Sequence, residues 1–136
     1  MACVLRAGGA DFQVESFLLH SPFKPSHIWQ KGSPRNRGRV STMSGLSLVV
    51  SNAAIGDFKR QCEDAIGFLR RNSDEIRRLI AFSGLTEAEL DFAVSLQPSA
   101  ASQTDRLPAE LVRIAGGLGL ALTVSHYARH VEKVPL

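Results

Sequence analysis

The alternation of apolar and polar residues predicts two strands of a β-sheet. The longer is residues 88–96, where apolar side chains at every second position are separated by Glu89, Asp91 and other polar or small residues. A shorter stretch of the same kind is residues 46–50. Because only one set of alternate positions is apolar, we expect this sheet to pack on a core with one face only. The β-prone residues 2–6 and 120–127 predict the first and last strands.

Apolar residues spaced three and four apart predict helices between these strands. Asp11 is in position to cap the first helix, and Asp57 opens the clearest one. Asn72, with a glutamate three residues later, indicates a break and the start of another helix. Pro108 fits the first turn of the last helix, which residues 116–119 are expected to end. The apolar stripe of the clearest helix consists of Phe58, Cys62, Ala65, Ile66 and Leu69.

The order of these elements predicts an α+β fold. We expect a single four-stranded sheet with three to four helices packed mainly on one face, which leaves the other face open. A chain of 136 residues that is 44% hydrophobic fits one domain with its own core. We therefore predict a single domain at residues 1–129 and a frayed C-terminal tail at residues 130–136.

Residues 23–39 form a basic segment rich in turn-forming residues, which predicts an ordered loop rather than a helix or strand. No acidic residue lies between Glu15 and Asp57, although the net charge of the whole chain is only +3. Such a cluster attracts acidic protein surfaces, phosphate or nucleic acid, although a loop kept polar for solubility has the same composition. The basic residues of the segment are Lys24, Lys31, Arg35, Arg37 and Arg39.

Trp29 is the single tryptophan of the chain and lies within the basic segment. An aromatic ring beside several cations is used to stack on bases and neutralise phosphates, and it is also common at protein interface hot spots. Alternatively, Trp29 anchors the loop on the sheet. We take Trp29, Lys31, Arg35, Arg37 and Arg39 as the candidate binding residues.

No set of residues in the sequence converges on a catalytic or metal-binding pattern. Cys62 lies on an apolar helix stripe, which predicts a buried and unreactive thiol. Glu89 and Asp91 share the outward side of a strand, which is typical of a solvated surface. We therefore expect no catalytic residue, metal or cofactor. The sequence favours a non-enzymatic protein, with an enzyme that uses His27 and the Glu89/Asp91 strip as an alternative.

The N-terminus and the apolar runs bear on localisation. The apolar run before Arg6 is too short for a signal peptide, and no segment is long enough to span a membrane. Cys3 and Cys62 follow no disulfide pattern, which favours free thiols. We therefore expect a cytoplasmic protein without a membrane partner.

The segment Ile28-Trp29-Gln30-Lys31-Gly32, preceded by a strand, a helix and a proline, resembles an element of the bacterial domain of unknown function 4279 family. Other matching pieces are Asp11-Phe12, Pro25, residues 46–50, residues 90–96, and residues 118–127 with their terminal tyrosine, so the resemblance covers almost the whole chain. It implies a bacterial origin and a shared α+β fold. It carries no established activity.

These observations lead to two hypotheses about function. The first is a non-enzymatic bacterial binding domain that recognises another protein with an acidic surface, in an immunity-like or accessory role, through residues 23–39. The alternative is a nucleic-acid-binding module that uses Trp29 and the loop arginines.

Overall fold

The computed structural model describes residues 2–128, which form one mixed β-sheet of five strands and four α-helices. The predicted tail at residues 130–136 lies outside the described residues. In chain order the elements are β1 (Cys3–Gly9), α1 (Val14–Leu18), β2 (His27–Trp29), β3 (Ser44–Ser51), α2 (Phe58–Arg71), α3 (Ser73–Ala81), β4 (Glu87–Leu96), α4 (Ala109–Leu118) and β5 (Ala121–Ala128).

The strands lie in the order β2-β3-β1-β4-β5. Neighbouring strands are antiparallel except β4 and β5, which are parallel and joined through α4. A parallel pair needs such a crossover, since the chain must return to the same end of the sheet before it continues.

The predicted α+β class is confirmed, but the prediction of four strands is wrong by one. The fifth strand is β2, which lies inside the basic segment predicted as a loop. His27 is in register with Ser47 of β3, and Trp29 with Gly45. A strand of three residues is too short to show an alternating pattern, so its pairing with β3 is invisible in the sequence.

One face of the sheet and all four helices share a single core. On the sheet side, alternate residues of β1, β3 and β4 are buried, and each helix adds two or three buried side chains. This one-sided arrangement agrees with the predicted alternation in residues 88–96. The largest of these buried side chains are Leu5, Leu46, Leu90 and Phe92 from the sheet, and Phe17, Leu69, Ile76, Leu79 and Leu111 from the helices.

The helix ends agree only partly with the sequence. Asp57 caps α2 as predicted, because its carboxylate accepts a hydrogen bond from the Arg60 N–H at 3.1 Å. Asp11 is not the cap of α1, which begins three residues later after Gln13. The break at Asn72 is correct, but the Asn72 side chain donates to the carbonyl oxygen of Phe68 at 3.0 Å and so closes α2 instead of opening α3.

Candidate binding surface

The sheet face opposite the core carries no helix among residues 2–128, and we call it the uncovered face. Arg6 lies at its centre, on the strand in the middle of the sheet. In register with Arg6 are Ser47 on one side and Glu89 on the other, and His27 lies beyond Ser47. One row of side chains therefore runs across four strands of the uncovered face.

Arg6 organises a polar network on this face. Its guanidinium donates to Asp91, and it lies 3.5 Å from Glu89. Although partial burial alone would lower the pKa of Arg6, the bond to Asp91 and the charges of both carboxylates outweigh it, so the pKa is raised. Two hydroxyls of β5 complete the network: Thr123 donates to Glu89 at 2.5 Å, and Ser125 donates to Asp91 at 2.7 Å.

This network corrects the expectation of a solvated Glu89/Asp91 strip. The Asp91 side chain is only 9% exposed and is held by an ion pair and a hydroxyl. Arg6 was not among the predicted functional residues, although the sequence carries a signal for it. Arg6 is the charged residue on the outward positions of β1, and the register places it beside the outward carboxylates of β4.

The alternative of a catalytic site from His27 and the acidic strip fails on geometry. His27 and Glu89 are separated by three strand-to-strand steps, or about 14 Å between backbones. That distance is far beyond the reach needed for proton transfer. No cluster of three or more histidine, cysteine, aspartate or glutamate side chains within residues 2–128 could hold a metal ion.

Trp29 packs against a position without a side chain. A Cβ atom placed on Gly45, its partner across β2 and β3, would lie only 2.5 Å from Cζ2 of the indole. Gly8, the next residue in the same row, also lacks a side chain, and Glu87 ends the row on β4. The uncovered face therefore has a depression over Gly8, between Glu87 and the Trp29 ring that covers Gly45.

This depression is the floor of a groove of about 550 Å³. The volume is in the range of ligand-binding clefts. Met43 and Arg35 border the groove on the β2 side, and Arg6, Glu87 and Glu89 border it on the β1 and β4 side. A second cavity, lined by Trp29, Arg35 and His27, extends the concave surface toward the start of β2.

Residues 30–43 form a hairpin rather than an irregular loop. The Gly32 N–H donates to the Ser41 carbonyl at 2.7 Å, and the Arg35 N–H donates to the Arg39 carbonyl at 2.6 Å. Arg37 is at the tip in a left-handed conformation, with φ of 64°. The predicted order of this segment therefore has a physical basis in its own backbone hydrogen bonds.

The five candidate binding residues separate into two groups. Trp29 and Arg35 line the groove together, whereas Lys31, Arg37 and Arg39 are exposed on the hairpin outside it. The backbone N–H of Lys31 donates to the Ser44 hydroxyl at 2.9 Å, which joins the hairpin to β3. Within residues 2–128, none of the four basic side chains of this set forms an ion pair with a carboxylate.

Both cysteines are free thiols, as predicted, and both are buried, which the sequence predicted for Cys62 alone. Burial is the main cause that raises the pKa of the Cys62 thiol to about 11, and it also raises the pKa of Cys3. Cys62 lines a cavity of about 560 Å³ between α2 and the segment that leads to α4. Since the thiolate is the reactive form, neither residue is a nucleophile near neutral pH.

No helix within residues 2–128 combines the length and the apolar character that crossing a membrane requires. No protein family, curated protein or solved structure matches this chain. The resemblance to the domain of unknown function 4279 family therefore stays a prediction from the motifs around Trp29.

Proposed function

We propose that this protein is a non-enzymatic binding domain that recognises another protein with an acidic surface, in an immunity-like or accessory role in bacteria. The observation that supports it is the position of the basic hairpin beside the uncovered face. The hairpin presents Lys31, Arg35, Arg37 and Arg39 without a carboxylate partner among the described residues. Cations held this way are free to pair with carboxylates of a partner.

The positions of Trp29 and Arg35 also support a protein partner. Tryptophan and arginine are the side chains most enriched among interface residues that dominate binding energy. Here both line one concave groove, so a partner would bury them together. The surrounding exposed arginines would act mainly on the rate of association, since long-range attraction steers an acidic partner toward the hairpin.

The acidic residues of the uncovered face favour a protein over a nucleic acid. Glu87, Glu89 and Asp91 lie on β4, and within residues 2–128 Arg6 is the one cation that pairs with any of them. A polyanion that left the hairpin and crossed the sheet would meet these carboxylates. A protein surface can present both signs of charge and so match the hairpin and β4 together.

Nucleic-acid binding remains the alternative, and the joint position of Trp29 and Arg35 on the groove favours it. It predicts binding to single-stranded RNA or DNA that weakens steeply with salt, and whose salt dependence becomes shallower in Arg35→Ala and Arg37→Ala. Fluorescence anisotropy over a salt series measures both effects. Absent or salt-independent binding would remove this alternative.

Affinity capture from a nuclease-treated bacterial lysate tests the proposed function. The bait variant carries Arg35→Ala, Arg37→Ala and Arg39→Ala. Its control replaces three exposed helix arginines instead, Arg71, Arg77 and Arg113, and so has the same net charge.

We expect a defined partner to be captured by the wild type and the control and lost with the hairpin variant. The same proteins on all three baits, or none on any, would contradict the proposal. Circular dichroism of the three baits confirms that each is folded.

A further inference from the structure

Two charges of opposite sign that form no ion pair within residues 2–128 border the groove on the uncovered face. Arg35 borders it beside Trp29, and Glu87 borders it on β4. Within residues 2–128, the carboxylate of Glu87 has no ion pair and accepts no hydrogen bond. Glu89, in contrast, is already occupied by Arg6 and Thr123.

Between Arg35 and Glu87 the floor is formed by Gly8, with Met43 and the Trp29 ring, which covers Gly45, beside it. This middle part of the groove exposes backbone and apolar atoms. A ligand that fits the whole groove would therefore carry a negative group toward Arg35, an apolar group over Gly8 and a positive group toward Glu87.

The dimensions match those of an extended peptide. Trp29 on β2 and Glu87 on β4 are three strand steps apart in the sheet, which corresponds to about 14 Å between backbones, and Arg35 borders the groove together with Trp29. In an extended chain, residues i, i+2 and i+4 point to the same side and span ~13 Å. Three alternate side chains of one extended segment can thus extend from the side of the groove that Trp29 and Arg35 border, over Gly8, to Glu87.

We propose that this groove binds an extended segment of the partner protein that carries an acidic residue at i, an apolar residue at i+2 and a basic residue at i+4. This inference rests on the proposed function, because it assigns the segment to the same partner. A single nucleic-acid strand does not fit this pattern, since its phosphates would meet Glu87 as well as Arg35.

Synthetic peptides test the charge pattern directly. The probe is Gly-Asp-Ser-Leu-Ser-Lys-Gly with blocked ends, titrated up to ~1 mM. Trp29 is the only tryptophan, so its fluorescence reports contacts in the groove without a label. We expect a saturable change in Trp29 emission that weakens with salt.

Reversing the charge of Glu87 tests whether this residue binds the basic residue of the peptide. Glu87→Lys should weaken binding by at least about fivefold, and a peptide with glutamate in place of lysine should restore it. The control is Glu63→Lys, at an exposed position on α2 that does not line the groove; it should bind the original peptide as the wild type does. Circular dichroism verifies that both variants are folded.

No saturable change in Trp29 emission, or equal affinity of the wild type and Glu87→Lys, would overturn the inference. Affinity capture from the lysate shows whether the peptide inference fails alone or together with the proposed function. A partner lost with the hairpin variant but fully retained by Glu87→Lys overturns only the peptide segment. A peptide that shows the charge-reversal pattern, while no partner is captured, supports the groove and contradicts the proposed partner protein.

Discussion

The indole of Trp29 occupies the space that a side chain at Gly45 would fill. A Cβ atom at Gly45 would lie 2.5 Å from Cζ2 and 2.7 Å from Cε2 of the ring, well inside normal contact distance. The ring is therefore fixed by a neighbouring strand and not only by its own strand. A glycine covered by an aromatic ring across a strand pair is a known device for keeping a sheet edge in register.

We expect Gly45→Ala to destabilise the protein by ~1–3 kcal/mol, because the new methyl group overlaps both the indole and the Ala7 carbonyl oxygen. Displacement of Trp29 should also shift its emission to longer wavelength. Chemical denaturation followed by tryptophan fluorescence measures both effects.

The control for this change is Gly116→Ala in α4, where a Cβ would meet nothing within 4 Å. It should raise stability by ~0.5–1 kcal/mol, since alanine is the better helix former. Equal effects of the two substitutions would contradict the packing of Trp29 on Gly45.

Arg6→Met should lower stability by ~1–3 kcal/mol, since it leaves the buried carboxylate of Asp91 with only the Ser125 hydroxyl. Adding Asp91→Asn should recover part of this loss, because the amide carries no charge. Arg60→Met is the control: its partner Asp64 lies one helical turn away on an exposed surface, and we expect a loss below ~0.5 kcal/mol. If Arg6→Met lowers stability as little as Arg60→Met does, the network around Arg6 contributes little to the stability of the protein.

Because the Cys62 thiol is buried, we expect the free energy of unfolding to change with pH in the alkaline range. A cysteine in the unfolded chain titrates near ~8.5, whereas burial raises the pKa of Cys62 to about 11 in the folded protein. At pH values between these two, Cys62 loses its proton in the unfolded chain but keeps it in the folded protein. The free energy of unfolding should therefore fall as pH rises from ~8.5 to about 11.

Cys62→Ala should make this pH dependence shallower, and urea denaturation at a series of pH values measures it. The comparison is between slopes, because other groups contribute to the pH dependence of stability in both proteins. Identical slopes for the wild type and the variant would show that Cys62 does not contribute.

Arg37→Gly should stabilise the hairpin tip. Arg37 has φ of 64° and ψ of 36°, a left-handed conformation that costs side-chain-bearing residues more than glycine. We expect a gain of ~0.5–1 kcal/mol after the greater flexibility of glycine in the unfolded chain is subtracted. Arg39→Gly is the control, since Arg39 is extended with φ of −81°, and it should lower stability by a similar amount. Thermal unfolding of both variants decides the comparison.

The core strands and helices could be predicted because their pattern is local. A strand that buries one face needs apolar residues at every second position, and residues 88–96 show this within a single stretch. The apolar stripe of α2 likewise predicted the helix and the burial of Cys62. The strand β2 was not predicted, because three residues are too few to show an alternating pattern.

The groove was predictable only in part. Trp29 and Arg35 stood out because they combine an aromatic ring and a cation in a segment without acids. Gly8, Gly45 and Glu87 gave no signal, since their meaning depends on which residues lie opposite one another on neighbouring strands.

The sequence by itself determined the α+β class, the one-sided core and a basic segment with Trp29 at its centre, because hydrophobic period and charge are written along the chain. Only the tertiary structure decided that Arg6 meets Asp91, 85 residues away, and that Trp29 covers Gly45. Strand register produces both contacts. It is fixed by the packing of the whole sheet on its core, which no local stretch of residues encodes.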